Sequence, residues 1–236
     1  MTVTPSVIRV SELADEPHLV HGFSTLELGS VGMTHAPDPD AVRVSRRRFA
    51  EELGLDPDAI TVAGAVHGKE VVRVDAAQEL VKGVDALITD RPRVLLFATY
   101  ADCYPVVLWD PVHRAAGLVH AGWRGTEAGV APAALQAMEK EFGSQPDAMR
   151  AGIGPGICGR CYEVGEEVAT RFEARFYTKA GGRHLLDLEA ALRFQLEAAG
   201  VREIHSTGLC TKETSLLPSH RRTPDGTRFG AIVAIR

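Results

Sequence analysis

The chain has 236 residues, of which 45% are hydrophobic and 24% are charged, a balance typical of a soluble globular protein. Its formal net charge of -5 leaves no excess of cations for phosphates, which argues against a general nucleic-acid or membrane-surface binder. No apolar run approaches the roughly 18 residues of a membrane span and no signal peptide is visible, so we expect a cytoplasmic protein.

The N-terminal part of the chain predicts strands interrupted by one helix. Residues 18–24 have the pattern of a short strand, and Asp38 can cap a helix that continues to residue 53. Residues 60–66 and 71–74 are predicted strands. The segment 67–70 between these two strands predicts a hairpin turn.

The rest of the chain mixes strands and helices without a regular βαβ rhythm, which predicts an α+β fold with mixed β-sheets rather than a doubly wound one. No repeat or long polar linker interrupts it, so we expect one domain over residues 1–236. The predicted strands are residues 94–100, 105–109, 115–120, 148–153, 202–206 and 229–235, and the predicted helices are residues 127–142, 163–176 and 188–199.

Three side chains that can bind a metal stand at the ends of predicted core strands. His67 follows one strand, His120 ends another, and Cys103 lies in the break between two buried strands. Two imidazoles and a thiolate suit zinc, and three protein ligands leave a fourth position for water or substrate. Their spacing forms no compact ligand motif, so a buried thiol and two hydrogen-bonded histidines remain an alternative.

The segment after His120 favours anion binding. In His120-Ala121-Gly122-Trp123-Arg124-Gly125 two glycines bracket a turn from strand to helix, where backbone N–H groups and the helix dipole attract negative charge. The alternative is a tight turn with a packed tryptophan.

Other cysteine and glycine patterns are weaker. The stretch Gly154 to Gly159 matches a dinucleotide-loop pattern, but its proline removes an amide and no βαβ unit follows. Cys158 and Cys161 form a single C-x-x-C without a second cysteine or histidine pair, which supports neither a zinc ribbon nor a thioredoxin motif. With only four cysteines in the chain, we expect thiols rather than a disulfide scaffold.

Four motifs in order resemble the YfiH-like family, long labelled multicopper polyphenol oxidoreductase (laccase) and now associated with purine nucleoside phosphorylase activity. They are Val66-His67-Gly68, Ala101-Asp102-Cys103-Tyr104-Pro105-Val106, His120-Ala121-Gly122-Trp123-Arg124-Gly125 and Cys161-Tyr162-Glu163-Val164-Gly165. The resemblance covers nearly the whole chain. It implies mixed sheets packed together and covered by helices, as in the catalytic domain of cytotoxic necrotizing factor.

The resemblance also implies the chemistry. It assigns His67, Cys103 and His120 as ligands of Zn²⁺, with copper as the alternative metal. It implies phosphorolysis of adenosine, inosine, guanosine and methylthioadenosine, with nucleoside and phosphate as small-molecule partners, and deamination of adenosine. Asp102 is a candidate proton shuttle beside Cys103, or a residue that orients a ligand histidine. The arginines whose planar forks match phosphate are Arg46, Arg124, Arg221 and Arg222.

Three rival functions stay open, as does the choice between a monomer and a homodimer. Cys103 and His120 could serve a cysteine-dependent hydrolase or amidase acting on cell-wall precursors. A copper-dependent polyphenol oxidase would need several histidine clusters, and the nine scattered histidines contain no H-x-H pair. A zinc-stabilised binding module would need a fourth protein ligand, for which His113, Asp102 or a loop cysteine are the candidates.

Overall fold

The structure is a computed structural model that describes residues 4–34 and 36–236. The strands are, in chain order, β1 (Val7–Ile8), β2 (Leu19–Ser24), β3 (Ile60–Gly64), β4 (Val71–Arg73), β5 (Leu80–Lys82), β6 (Ala86–Thr89), β7 (Leu95–Tyr100), β8 (Tyr104–Asp110), β9 (Ala115–Ala121), β10 (Arg150–Ile153), β11 (Glu163–Val164), β12 (Tyr177–Ala180), β13 (Arg183–Leu186), β14 (Glu203–Ser206) and β15 (Phe229–Ile235). The α-helices are α1 (Ser11–Ala14), α2 (Pro39–Glu52), α3 (Trp123–Glu127), α4 (Val130–Phe142), α5 (Glu166–Ala169) and α6 (Leu188–Ala198).

Two six-stranded sheets dominate the described part of the chain, and each contains parallel and antiparallel neighbours. The first sheet has the order β1-β2-β15-β7-β3-β5, and the second has the order β14-β10-β8-β9-β6-β4. A small third sheet has the order β11-β13-β12. The predicted α+β class with mixed sheets is therefore confirmed.

The two large sheets pack face to face because both faces of their central strands are apolar. In β7, Leu96 and Ala98 point into the core between the sheets, while Leu95 and Phe97 pack on the opposite face with Phe49 of α2. The outer face of the second sheet packs against α4, α6 and the third sheet. Helices thus cover both outer faces. Within the described ranges, no helix is long and apolar enough to cross a bilayer.

The predicted helix after Asp38 is confirmed together with its cap. Asp38 Oδ1 accepts hydrogen bonds from the amides of Asp40 and Ala41 at 3.1 and 3.0 Å, which satisfies two of the free N–H groups at the start of α2. Gly54, with φ of +70°, follows the end of the helix.

The predicted hairpin at residues 67–70 is wrong. The strand before it, β3, belongs to the first sheet and pairs in parallel with β5 and β7, whereas β4 belongs to the second sheet and pairs in parallel with β6. The segment is therefore a crossing from one sheet to the other. The short segment between β3 and β4 contains no sequence signal that these two strands pair in different sheets.

Two of the three predicted helices also differ from the structure. The predicted helix 127–142 begins earlier, at Trp123, and is broken at Gly129, whose φ of +80° interrupts helical geometry between α3 and α4. The predicted helix 163–176 is largely wrong, because Glu163 and Val164 pair with β13 as a strand and only the short α5 follows. Tertiary pairing overrides the local apolar periodicity there. The predicted helix 188–199 is confirmed as α6.

A second crossing between the sheets lies at residues 101–103, between β7 and β8. Because β3 and β7 run parallel, their C-terminal ends meet at the same edge of the first sheet. Both crossings therefore leave the first sheet at one end of the sandwich. This shared end is where the predicted metal ligands lie.

The buried His21 of β2 makes the stability of the fold sensitive to acid. It is 1% exposed, and its Nε2 accepts a hydrogen bond from the amide of Val10 at 3.0 Å. Burial, aided by the charge of Arg9, lowers the pKa of His21 to about 4. The unfolded chain would bind this proton near pH 6.5, so the stabilising contribution is complete above that pH and is lost as pH falls towards 4.

We therefore expect the unfolding free energy to fall by up to about 3 kcal/mol through His21 as pH is lowered from about 7 to about 4. Urea unfolding at several pH values in this range measures how steeply the unfolding free energy changes with pH. His21→Gln keeps a side-chain acceptor without a titrating ring and should give a shallower slope. Equal slopes for the two proteins would contradict the assignment.

Candidate metal centre and active site

The three side chains predicted to bind a metal come together at the shared end of the sandwich. The donor atoms of His67, Cys103 and His120 all lie within 4.8 Å of one another. The two imidazole rings meet edge to face with their centroids 5.0 Å apart. His120 is 4% exposed, whereas His67 is exposed and Cys103 is half-buried. These three groups can therefore hold a metal ion that solvent reaches from the His67 side.

Strand register explains the convergence. His67 lies on the first crossing between the sheets and Cys103 on the second. In the antiparallel pair of β8 and β9, Pro105 is opposite His120, so Cys103, two residues before Pro105, starts beside the end of β9. Residues separated by 36 and 17 positions are thus neighbours because three strands end at one place.

Gly122 leaves the space that the donors occupy. A Cβ at this position would lie 2.9 Å from Cys103 Sγ and 3.1 Å from His67 Cδ2. Both distances are below or near the limit for real Cβ contacts, and both neighbours are held by short crossings. The first glycine of the predicted anion-binding segment therefore keeps the donor atoms accessible to each other.

A buried carboxylate that we did not predict, Asp85, positions the two histidines that are predicted to bind a metal. Its Oδ1 accepts the amide of His67 at 2.8 Å and faces His120 Nδ1 at 3.0 Å. Its Oδ2 accepts the amides of Val66 and Gly68 at 3.2 and 2.7 Å. Because an ionised carboxylate only accepts, Nδ1 of His120 must carry the proton, which leaves Nε2 free to bind a metal.

These contacts also shift the ionisation of the centre. Burial would raise the pKa of Asp85, but His120 and the amides of Gly68 and Val66 hold it below its ordinary value. Burial opposes the charged forms of Cys103 and His120 as well. Nevertheless, His120 and His67 lower the pKa of the Cys103 thiol to about 6, and Cys103 and Asp85 raise the pKa of His120 to about 9. Near neutral pH these shifts favour a Cys103 thiolate beside a protonated His120, so a metal that binds both must displace the Nε2 proton of His120.

Asp102 lies next to Cys103 but does not contact a ligand histidine through its carboxylate. Oδ1 accepts from Thr211 Oγ1 at 2.6 Å, and Oδ2 accepts from the amide of Arg221 at 2.8 Å. Its own carbonyl accepts the amide of Ile157 at 2.9 Å. The residue that orients a ligand histidine is therefore Asp85, and Asp102 joins the second crossing to two other loops.

The backbone at both crossings adopts a conformation that L-residues rarely take. His67 has φ of +62° and Asp102 has φ of +84°. Non-glycine residues with positive φ are uncommon and persist where surrounding contacts enforce them. Here the contacts are those of Asp85 around His67, and those of Thr211 and Arg221 around Asp102.

Two of the four predicted phosphate-binding arginines lie near the metal ligands. Arg124 is exposed and lies two residues after Gly122 in the chain. Its guanidinium carbon stacks 4.3 Å from the centre of the Trp123 ring. Within residues 4–34 and 36–236, no carboxylate forms an ion pair with Arg124 or with Arg221. One nitrogen of the Arg221 guanidinium donates to the Glu163 carbonyl at 2.5 Å, and the group lies 5.0 Å from the Tyr162 ring centre. The charges of Cys103, Arg221 and Arg124 all affect the pKa of the Tyr162 hydroxyl.

The other two arginines are engaged elsewhere. Arg46 donates to the Val31 carbonyl at 2.9 Å and lies over Phe97, on the face of the first sheet that points away from the second. The guanidinium of Arg222 donates to carbonyls in the loop before it, those of Thr211, Lys212, Thr214 and Leu217. Arg222 therefore holds a loop, and neither side chain faces the metal ligands.

The candidates for a fourth protein ligand are not at the centre. His113 contacts Asp110 at the far end of β8, roughly 20 Å of strand away from Tyr104. Both oxygens of Asp102 are engaged, and the remaining cysteines form a group of their own. The structure supplies three donors in this place.

Sequence reasoning missed Asp85 and Tyr162 as site residues, and it gave Gly122 a role in an anion-binding turn rather than one beside the metal donors. The signal for Asp85 was present, since it is an acidic residue inside the apolar run from Val84 to Ile88 and is 0% exposed. A buried carboxylate must have partners. Gly122 and Tyr162 stood in quoted motifs, but their contacts depend on where the crossings meet.

Comparisons with known proteins agree with this architecture. A family model described as multi-copper polyphenol oxidoreductase laccase matches residues 20–236. A Streptomyces coelicolor protein named purine nucleoside phosphorylase is 40% identical over 211 residues, covering 87% of this chain and 85% of that protein. A Deinococcus radiodurans protein of the same name is 38% identical over 202 residues, covering 84% and 79%.

Solved structures confirm the predicted family fold. The crystal structure of YlmD from Geobacillus stearothermophilus matches with a TM-score of 0.90 at 31% identity, covering 100% of this chain and 98% of that one. The structure of the hypothetical protein YfiH from Bacillus licheniformis also gives a TM-score of 0.90, at 28% identity, covering 98% and 97%.

Asp85→Asn tests whether the buried carboxylate maintains the metal ligands. We expect roughly 10–100-fold weaker metal binding, because the amide can no longer fix the His120 tautomer or accept all four donors. Competition with a chelator measures the affinity. Asp110→Asn is the matched control, since Asp110 is also 0% exposed and holds the two amides and the imidazole of a turn remote from the ligands. An equal loss of metal affinity in both variants would show that Asp85 serves only the stability of the fold.

Proposed function

Since the chain belongs to the multi-copper polyphenol oxidoreductase laccase family, and the relatives above carry the name purine nucleoside phosphorylase, we propose that it is a zinc-dependent purine nucleoside phosphorylase. Its proposed substrates are phosphate and adenosine, inosine, guanosine or methylthioadenosine. The observation that carries the proposal is the placement of His67, Cys103 and His120 near Arg124 and Arg221, which form no ion pair with a carboxylate in the part of the chain that the structure describes. Metal chemistry and anion binding then occur in one place.

The donor set supports zinc. Two imidazoles and one thiolate are borderline and soft ligands, and three protein ligands are typical of catalytic zinc sites with one open position. Gly122 keeps the space between the donors clear, and Asp85 presents His120 in the required tautomer. When bound, a zinc ion would supply Lewis-acid polarisation of substrate or water at this position.

In phosphorolysis, the protein must bring two anionic or polar reactants together. We assign Arg124 and Arg221 to the phosphate, because their guanidinium groups offer planar pairs of donors. A phosphate oxygen forms a bond to C1′ of the ribose as the bond from C1′ to the purine nitrogen breaks. The purine takes that electron pair and a proton, and positive charge that develops on the ribose lies close to the bound phosphate.

Tyr162 supports this arrangement from the wall of the site. It is 8% exposed, and burial, together with the charge of Cys103, raises the pKa of its hydroxyl to about 12. The hydroxyl therefore stays protonated at neutral pH and can donate a hydrogen bond. Its ring lies beneath the Arg221 guanidinium, which fixes the position of that cation.

Deamination of adenosine is the second reaction we propose for the same site. An open position among three donors suits hydrolysis as well as phosphorolysis. Asp102, our sequence-based candidate for proton transfer, is adjacent to Cys103, but Thr211 and the Arg221 amide engage both carboxylate oxygens. We therefore propose that Asp102 positions Cys103 and Arg221 in this reaction.

One rival has a specific observation in its favour. A cysteine hydrolase, acting for example on cell-wall precursors, would use Cys103 as nucleophile and His120 as base, and the pKa of Cys103 near 6 suits that role. Such an enzyme would keep its activity in a chelator.

The oxidase expected from the family label is less well supported. A multicopper oxidase needs several histidine-rich sites close together. Among the described residues, the only groups of three or more potential ligands are the trio and a cluster of cysteines with a glutamate.

Cys103→Ala and His67→Ala should each lower the formation of ribose 1-phosphate from inosine and phosphate by at least about 100-fold, because each removes one of three metal ligands. The matched control is His113→Ala, which removes an imidazole at the far end of β8 and should leave the rate unchanged. A chelator should abolish wild-type activity, and zinc should restore it.

Each rival predicts a different result in this assay. Undiminished phosphorolysis by Cys103→Ala would exclude the site. A cysteine hydrolase would lose activity with Cys103→Ala but keep it in the chelator. An oxidase would consume oxygen with phenols and require copper.

Arg124→Gln should raise the KM for phosphate by about tenfold or more, because a charge-assisted hydrogen bond contributes about 1.5–3 kcal/mol. Initial rates at varied phosphate and saturating inosine measure this effect. The control is Arg202→Gln, which changes an exposed arginine next to β14. Among the described residues, Arg202 forms one ion pair, a 3.7 Å contact with Asp147. An unchanged KM in Arg124→Gln would assign the phosphate to another group.

A further inference from the structure

The remaining three cysteines of the chain meet at a second place. Cys158, Cys161 and Cys210 lie together with Glu213, and their donor atoms are all within 4.8 Å of one another. None of the four is among the ligands of the proposed catalytic metal. They stand on two turns, one after β10 and the other after β14. We call these four residues the cysteine cluster.

The two turns present their donors with the same spacing. Cys158 and Cys161 are the first and fourth residues of one turn, closed by the Cys161 amide on the Cys158 carbonyl at 2.9 Å. Cys210 and Glu213 are the first and fourth residues of the other, closed by the Glu213 amide on the Cys210 carbonyl at 3.2 Å. The missing partner of the C-x-x-C pair is thus a C-x-x-E pair. A search for cysteine or histidine pairs could not find it.

A backbone amide of one turn points at a sulfur atom of the other. The Cys158 amide donates to Cys210 Sγ at 3.3 Å. An amide directed at a sulfur favours its thiolate, which is the form that binds metal. The Arg160 guanidinium lies 3.0 Å from Glu213 Oε2 and offsets part of the negative charge.

We propose that the cysteine cluster binds a second zinc ion as a closed structural site with three thiolates and one carboxylate. Neighbouring donors around tetrahedral zinc lie roughly 3.8 Å apart, given Zn–S bonds of about 2.3 Å. The four donors, none farther than 4.8 Å from another, reach that geometry by small side-chain movements. Four protein ligands characterise structural zinc, in contrast to the three donors beside Gly122.

Alternatives explain fewer of the contacts. A disulfide would join two of the three sulfurs and leave the third thiol and Glu213 without a function. An ordinary hydrophobic role does not explain a glutamate directed at the thiols, with Cys161 Sγ 3.5 Å from Glu213 Oε1. The ion also has a path of entry. Cys161 lines an open cleft of ≈ 620 Å³, and Cys158 and Cys210 line another of ≈ 590 Å³.

The site would fasten the two loops that hold Asp102. Ile157, the neighbour of Cys158, donates its amide to the Asp102 carbonyl at 2.9 Å. Thr211, the neighbour of Cys210, donates its hydroxyl to Asp102 Oδ1 at 2.6 Å. A metal that joins these turns therefore supports the crossing that carries Cys103 without contacting substrate.

Metal content of untagged protein, purified after growth with zinc and analysed by plasma mass spectrometry, tests the proposal. We expect two zinc ions per wild-type chain, one in Cys103→Ala and one in Cys161→Ser. Glu173→Gln, which changes an exposed carboxylate outside the cysteine cluster, should retain two, while Glu213→Gln should lose one ion more readily to a chelator.

The absorption spectrum of the cobalt form tests the cysteine cluster without using nucleoside activity as the readout, and in a variant whose cluster residues are all unchanged. Cys103→Ala retains every residue of the cysteine cluster, so its cobalt form should show an intense thiolate-to-cobalt charge-transfer band. That band should be absent from the variant that also carries Cys158→Ser and Cys161→Ser. A single zinc in the wild type that disappears with Cys103→Ala, no cobalt–thiolate band in Cys103→Ala, or a metal-free disulfide within the cluster would each overturn the proposal.

Discussion

The carboxylate of Asp85 is the group on which the arrangement of the centre depends. A charge with no solvent exposure is costly to bury unless donors surround it, and here three consecutive amides and one imidazole do so. The same hydrogen bonds bend the crossing between β3 and β4 into a conformation with positive φ at His67. One buried anion thus sets the path of the backbone, the direction of one ligand and the tautomer of another.

The two-sheet architecture supplies the second constraint. Parallel pairing of β3 with β7 brings two chain crossings to the same end, and the register of β8 with β9 places His120 beside them. Donors from three distant segments thereby lie at strand ends or on short crossings next to them. Strand ends in a packed sandwich move little, which keeps the three donor atoms close before any ion arrives.

The sequence predicted the class of the fold, most strands and the convergence of His67, Cys103 and His120, because apolar runs and chemically distinctive side chains are local features. It misled where long-range pairing decides the outcome. The segment 67–70 has the length of a hairpin turn, yet its flanking strands pair in different sheets. The apolar periodicity of residues 163–176 predicted a helix, but Glu163 and Val164 at its start pair with β13 as a strand. Asp85 and Glu213 escaped notice because a carboxylate acquires meaning only from its neighbours in space.

The close packing of α3 against the first crossing has a further consequence. A Cβ at Gly125 would lie 2.9 Å from the carbonyl oxygen of Gly68, so the two backbones meet with no side chain between them. Arg124 and His67 stand next to these glycines on either side of that contact. An anion held by Arg124 and a metal held by His67 would therefore rest on backbone segments in direct contact. If binding of one changes the affinity for the other, thermodynamic reciprocity requires the same factor in both directions.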